Sequence, residues 1–382
     1  MKKVILSVTN DLVADQRLHK TASFLHEKGF DVLVIGRKYK NSPALSEKQY
    51  RTKRLHLLFK KGFCFYAEYN IRLFIYLLFH QFNILIANDL DTLLPNFLVS
   101  KIKRKKIIYD SHEYFCELPE LIGRPRVQRI WQRIERFCFP HLPVVITVSD
   151  SIAKLYDEAY PERKNKVVVI RNVPMQHKHE WEETRESLNL PTDKRIVLMQ
   201  GSINVDRGVE ELIDAMEFIE EAILLIIGDG DIIPQVTQQV IAKKMTDKIY
   251  FLPRMTPDKL RSYTALADVG CSLEKDTNCN YRYCLPNKLF DYIQSAVPVV
   301  VSELPEMATL VRQYEVGVVI EEHSPPGIAK AITQLLSDNA KYAHCQAQCR
   351  IAANLFNWER ESEILNQILG EMEEKHYSPT VY

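Results

Sequence analysis

Two successive series of short apolar runs, each separated from the next by a helical pattern, constrain this chain more than any single motif. The first series covers 4–9, 32–35, 84–87, 107–109, 144–148 and 167–170; the second covers 196–199, 223–227, 249–252, 269–273, 297–301 and 316–320. Runs of this length, apolar on both faces, fit strands covered by helices on both sides, and their alternation with helical patterns predicts parallel α/β sheets. The length of 382 residues agrees, since it exceeds what one hydrophobic core usually serves. Between 172 and 194 the pattern breaks into a polar stretch with Pro174, Trp181 and Pro191. Open parallel sheets bind ligands at the carboxyl ends of their strands. We therefore expect two Rossmann-like parallel-sheet domains facing a central cleft, an N-terminal one over 1–175 and a C-terminal one over 195–356, joined by a linker at 176–194. After Ser337 the chain turns helical, and Ile364, Leu365, Ile368 and Leu369 mark a final amphipathic helix at about 357–374. The tail from Lys375 is expected to fray.

Composition removes several classes of function. Fifty basic residues against 49 acidic ones leave a net charge of +1 and no global argument for a nucleic-acid partner. The eight cysteines form no C-x-x-C pair and sit mostly in apolar runs, as buried thiols of a reducing cytoplasm would. The opening Met1-Lys2-Lys3-Val4-Ile5-Leu6-Ser7-Val8 meets Asn10-Asp11 too soon for a signal peptide and reads as a first strand. The uncharged span 73–88 is too short to cross a bilayer. Arg51-Thr52-Lys53-Arg54, Lys60-Lys61 and the basic run 101–106 lie to either side of it. A core helix with solvated charge is the plain reading; peripheral contact with anionic lipid, on the inner face of the cell membrane, is the alternative.

Glycine is scarce, 12 of 382 against a usual share of about 7%, so clusters of it are informative, and four lie between Gly201 and Gly230. In Gln200-Gly201-Ser202-Ile203-Asn204-Val205-Asp206-Arg207-Gly208, Gly201 lets the backbone approach a ligand and Arg207 offers a fixed positive fork beside free helix amides. That combination suits a diphosphate. Gly228-Asp229-Gly230 lacks the third glycine of a dinucleotide fingerprint, because position 233 is Ile233. In Leu285-Pro286-Asn287-Lys288-Leu289-Phe290-Asp291-Tyr292, Pro286 suits a helix start, Asn287 and Lys288 fall in the first turn, and Asp291 is placed for ribose hydroxyls. Arg254 joins these donor-side candidates, as do Gly208, Gly230 and Leu289. In the first half, Tyr109-Asp110-Ser111-His112-Glu113 follows an apolar run, which puts His112 between two acids at a sheet mouth.

In this order the motifs resemble the family 4 (group 1) retaining glycosyltransferases of GT-B architecture, especially bacterial surface-polysaccharide members. The resemblance spans nearly the whole chain, from Asp15-Gln16-Arg17 through Ile170-Arg171-Asn172-Val173-Pro174 to Pro298-Val299-Val300. It implies a nucleotide-diphospho-sugar donor on the second half and a glycan or lipid-linked acceptor on the first. A hexosyl group would pass between them with retained configuration. It assigns Arg207 to the diphosphate, Asp291 to the ribose and His112 to the transferred sugar, and it brings the final helix back onto the first domain.

The chain also departs from the family pattern. The usual pair of glutamates seven residues apart becomes Tyr283 and Asp291, and Glu274 can stand in for the first only if the segment 275–284 folds back. Ser202 replaces a second phosphate-binding arginine. The first loop, from Asn10 to Arg17, has no glycine, so Asp15 and Arg17, with Glu113, are expected to shape the acceptor side. Asp89-Leu90-Asp91 has metal-binding spacing but belongs to the acceptor half, so no metal or other cofactor is expected. The alternatives are a nucleotide-sugar 2-epimerase of the same architecture and a noncatalytic nucleotide-sugar-binding subunit.

Overall fold

In the computed structural model, which describes residues 1–13, 15–176 and 183–374, each expected apolar run forms a strand. In the first sheet these are β1 Lys3–Ser7, β2 Asp31–Lys38, β4 Ile84–Asn88, β5 Lys106–Asp110, β6 Val144–Thr147 and β7 Val168–Val169, with one addition, β3 Arg51–His56. The second holds β8 Arg195–Ser202, β9 Ala222–Asp229, β10 Ile249–Pro253, β11 Val269–Ser272, β12 Val299–Val301 and β13 Gly317–Val319. The order is β3-β2-β1-β4-β5-β6-β7 in one sheet and β10-β9-β8-β11-β12-β13 in the other, and every pairing is parallel. Strand order therefore reverses between β1 and β4 and again between β8 and β11, where such sheets open a crevice for ligands.

β3 was missed because its sequence, Arg-Thr-Lys-Arg-Leu-His, reads as a basic run. It lies at the sheet edge and pairs only with β2, where charged side chains block further strand addition. The central strands need the opposite chemistry: Val4, Ile5 and Leu6 of β1 and Val197 and Leu198 of β8 have no exposed surface. β8 and β9 also run further than expected, so Gly201 pairs with Gly228 inside the sheet and the ligand-side loops start later.

The chain divides into two compact units, residues 1–171 with the segment from Glu361 onward, and residues 172–360. Residues 183–194 of the expected linker count with the second unit, where Arg185 donates to the carbonyls of Lys194 and Leu266 and to Asp268 at 2.7 Å. Trp181 and the tail from Lys375 fall outside the described residues. The final helix, Trp358–Glu374, begins in the second unit, where the Trp358 amide donates to Pro174, and continues in the first. There Glu361 accepts the Arg171 amide at 2.7 Å just beyond β7.

None of the eight cysteines is in a disulfide; five are buried, Cys279 and Cys284 are half-buried, and Cys64, contrary to expectation, is exposed. No helix among the described residues is long and apolar enough to cross a membrane.

Candidate functional site

In the second unit the loop after β8 is shaped by two glycines. Gly201 has φ +104°, which favours glycine, and a Cβ built there would meet nothing within 4 Å. Gly208 has φ +76°, and a Cβ there would lie 2.1 Å from the Leu273 carbonyl oxygen, so only glycine lets this loop pack against the end of β11. That packing brings Arg207 to Glu274, whose side chain has no exposed surface. Arg207 Nη1 lies 3.4 Å and Lys288 Nζ 2.9 Å from Glu274 Oε1, while Ser272 donates to Oε2 at 2.8 Å. Burial pushes the Glu274 carboxyl up, but Lys288 and then Arg207 outweigh it and hold it below its usual range. Two cations thus converge on one buried anion at the strand-order reversal.

The segment 275–284 does fold back. The Lys275 amide donates to Asp206, Tyr281 Oη to Val205, and the Arg207 guanidinium lies 5.1 Å from the Tyr281 ring centre. The fold does not, however, present Glu274 as a substitute for the missing first glutamate, because the same packing turns its carboxylate inward onto Arg207 and Lys288. Asp291, on the helix Asn287–Gln294 that Pro286 caps, is half-buried and accepts from Gln200 Nε2 at 3.2 Å. Gln200 is itself fixed by Thr264, which donates to its Oε1 at 2.7 Å. Sequence reasoning overlooked Gln200 as an orienting residue, although its place directly before Gly201 at a strand end was a usable sign. Asn287 and Arg254 are exposed, Leu289 is buried, and Gly230 packs under the Ile203 carbonyl.

The first unit gathers acids at the same topological place. Asp89 follows β4 in a left-handed backbone conformation, φ 60°, that costs a non-glycine residue on the order of 1 to 3 kcal/mol. Its carboxylate accepts the His112 amide at 2.9 Å and lies 3.3 Å from Nδ1 of that ring. On the other side His112 Nε2 is 3.4 Å from Asp110 Oδ2. Burial pushes the imidazole down, but Asp89 and Asp110 outweigh it and raise it to about 9, so the ring is a cation at neutral pH. Asp91 accepts from Thr9 Oγ1 at 2.6 Å; burial, then neighbouring Asp89, push its carboxyl up to about 7. The Asp-x-Asp pair therefore serves separate partners. Among the described residues no three His, Cys, Asp or Glu side chains converge as metal ligands.

Arg17 does a different job from the one expected. Only 3% exposed, it grips Asp110 with two hydrogen bonds, at 2.6 and 3.0 Å, and donates to the Ile170 carbonyl at 2.8 Å. Its guanidinium is taken up inside the unit and has nothing to offer an acceptor. It holds Asp110, which in turn faces His112. Asp15 likewise caps the helix Gln16–Glu27, accepting the Leu18 amide at 2.9 Å and the Asn10 side chain at 2.8 Å. Of the acceptor-side candidates, Glu113 alone is exposed.

Comparison with known proteins sets this geometry in context. Residues 180–351 match the family model described as Glycosyl transferases group 1, and residues 14–173 match Glycosyltransferase Family 4. The chain is 23% identical over 197 residues to D-inositol 3-phosphate glycosyltransferase of Xylanimonas cellulosilytica, covering 49% of this chain and 45% of that protein. It is 26% identical over 211 residues to an uncharacterised glycosyltransferase of Methanocaldococcus jannaschii, covering 51% of each. The chain thus spans about half the length of the curated relatives it matches. Among solved structures, sucrose-phosphate synthase from Thermosynechococcus elongatus superposes with a TM-score of 0.79 at 19% identity, covering 98% of this chain and 100% of that one. WaaG, a glycosyltransferase involved in lipopolysaccharide biosynthesis, gives 0.74 at 15% identity over 94% of this chain and 99% of its own. Anabaena HepE, solved in complex with UDP-glucose, gives 0.75 at 14% identity over 97% and 100%. The fold is that of GT-B proteins, two parallel-sheet α/β domains in one chain.

Proposed function

Because the chain belongs to the group 1, family 4 glycosyltransferases, we propose that it moves a hexosyl group from a nucleotide-diphospho-sugar to a glycan or lipid-linked acceptor, retaining the anomeric configuration. The observation that carries this reading is the pairing of Arg207 and Lys288 on the buried Glu274 at the strand-order reversal of the second sheet. Departure of a nucleoside diphosphate builds negative charge on the leaving phosphate, and two cations held in advance stabilise that charge without reorganising. In this reading Asp291, aimed by Gln200, takes the ribose hydroxyls, Gly201 lets the diphosphate approach the backbone, and Asn287, Leu289, Gly208, Gly230 and Arg254 frame the nucleotide. HepE, of the same fold, binds UDP and UDP-glucose, which supports a nucleotide-sugar as donor.

His112 lies between two carboxylates and is protonated at neutral pH, so it serves as a hydrogen-bond donor to the transferred sugar and not as a base. With that proton acceptor unavailable, the departing phosphate is the group that removes the acceptor's proton, by attack on the face it leaves. The positive charge comes from Arg207 and Lys288, so the reaction as proposed needs no metal and no cofactor. The chain would act on the cytoplasmic side, in surface polysaccharide or glycoconjugate synthesis.

Incubation with a panel of nucleotide-sugars and acceptor glycans tests the reading. The expected result is release of nucleoside diphosphate that depends on acceptor, with a product whose anomeric proton coupling matches that of the donor. An isomerised donor would make the chain an epimerase, and tight binding without turnover would make it a binding subunit.

A further inference from the structure

The helix Gly62–Phe79 is apolar on two opposite sides. Phe65, Tyr69, Leu73 and Leu77 are buried, whereas Phe63, Ile71, Ile75 and Phe79 are 71, 59, 50 and 79% exposed. Both sets follow four-residue spacing and are offset by two residues, about 200° around a helix, so the second stripe faces away from the core. A helix apolar all round is normally covered all round. This one is covered on one side.

A second helix, Pro125–Cys138, lies beside it: Tyr66 meets Trp131 edge-on at 5.1 Å, and Phe97 of the intervening helix Leu90–Lys103 meets Phe137 at 5.7 Å. Trp131, Glu135 and Cys138 turn inward. Outward, Val127, Ile130 and Phe137 are 41, 39 and 54% exposed, and Arg126, Arg129, Arg133 and Arg136 form an exposed row one residue ahead of that stripe. The acids of both helices are occupied elsewhere. Glu135 accepts from Tyr160 at 2.8 Å inside the unit. Glu68 takes the amides of Leu58 and Phe59 and pairs with Arg72, which also fixes Leu58, 79% exposed, at the end of the apolar stripe. The basic runs noticed in the sequence contribute less, since Arg51 is paired with Asp31 and Lys103 donates to the His80 carbonyl.

We propose that this face of the first unit docks on a membrane surface containing anionic lipid, with the apolar stripes at the headgroup–acyl boundary and the arginine row on lipid phosphates. Apolar side chains beside arginines, with no acid between, are the pattern of a helix that lies in such an interface. A nucleic acid would engage the arginines and leave Phe63, Ile71, Ile75 and Phe79 in water. A second copy of the chain would set arginines against arginines. The inference does not depend on the glycosyl-transfer reading, because it uses none of the residues assigned to donor or acceptor.

Co-sedimentation with vesicles tests it, comparing mixed phosphatidylcholine and phosphatidylglycerol with phosphatidylcholine alone. Binding is expected to the mixed vesicles at low salt, much less to the neutral ones, and to weaken as salt is added. Changing Arg126, Arg129, Arg133 and Arg136 to Gln together should lower the partition coefficient by roughly a hundredfold or more, each basic residue near such a surface contributing about fivefold. Phe63→Ser with Ile71→Ser, Ile75→Ser and Phe79→Ser alters exposed positions only and should weaken binding at every salt concentration while the circular dichroism spectrum stays unchanged. Equal binding to both vesicle types, or wild-type binding by the folded arginine variant, overturns the proposal. So does a lipid-free dimer in ultracentrifugation that the four serine changes abolish, or an RNA homopolymer that binds through the arginines and is not displaced by mixed vesicles.

Discussion

At the strand-order reversal of the second sheet, two cations share one buried carboxylate; at the same place in the first sheet, three carboxylates share one arginine and one histidine. The backbones feeding the two places are alike, with parallel strands in the order 3-2-1-4-5-6 and loops at their carboxyl ends. The difference lies in which charge is in excess. Around Glu274 the surplus is positive and suits an anion that arrives from outside. Around His112 the surplus is negative and is spent inward, holding one imidazole charged and oriented. One topology thus supports an anion site in one unit and a fixed proton donor in the other.

The most severe way to break the contrast is to remove the cation that the acidic cluster depends on. Arg17→Met leaves Asp110 buried without its bidentate partner and should cost about 3 to 5 kcal/mol of stability, measured by urea unfolding. Lys288→Met should cost less, because Arg207 stays beside Glu274. Equal losses would mean that the two clusters are held in the same way.

The next largest effect is expected on turnover. His112 and the nucleotide-side residues belong to different units, so His112→Ala should leave nucleotide affinity within a few fold. Transfer should fall by about a hundredfold or more, the scale of a positioned polar group in a water-excluded site. A folded variant that turns over at the original rate would show that the acids orient this ring for packing alone.

These arguments also mark what could be read from the chain. Strands buried on both faces must be apolar throughout, so twelve of them announce themselves, while β3 needs one buried edge and is written in Arg, Thr and Lys. Gly201, Arg207 and Lys288 were legible because a glycine turn and cations after a strand have few other uses. The engagement of Glu274 was not, since a single acid beyond β11 carries no periodic sign. Arg17 and Asp110 are 93 residues apart, and nothing local distinguishes an arginine destined for a buried partner from one destined for a ligand. The outer stripes of the helices Gly62–Phe79 and Pro125–Cys138 are plain in the sequence, but only the fold tells which apolar side is left uncovered.

On the cationic side, Arg207→Ala should weaken nucleoside diphosphate binding by roughly 1.5 to 3 kcal/mol, the range for a hydrogen bond to a charged group. Calorimetry with the nucleoside diphosphate reads this directly. Unchanged affinity would leave the surplus charge around Glu274 without a ligand to explain it.

The smallest expected effect separates the two clusters by pH. The folded His112 imidazole is raised from 6.5 to about 9, so the stability it contributes is complete below about pH 6.5 and is lost as pH rises through 9. Glu274 is depressed from 4.5, so its contribution is complete above that pH and is lost as pH falls below it. Asp91, raised from 3.8 to about 7, adds a decline in the first unit between those values. Alkaline pH should therefore loosen the strand ends of β4 and β5, and acid pH those of β8 and β11, each by on the order of 2 kcal/mol or less. Hydrogen exchange read by mass spectrometry, corrected for the intrinsic pH dependence of the rate, resolves the two sets of strands in one experiment. His112→Gln should abolish the alkaline loss in β4 and β5 and leave the acid loss in β8 and β11 untouched. If the alkaline loss persists in that variant, the cation held between Asp89 and Asp110 is not what stabilises the first cluster.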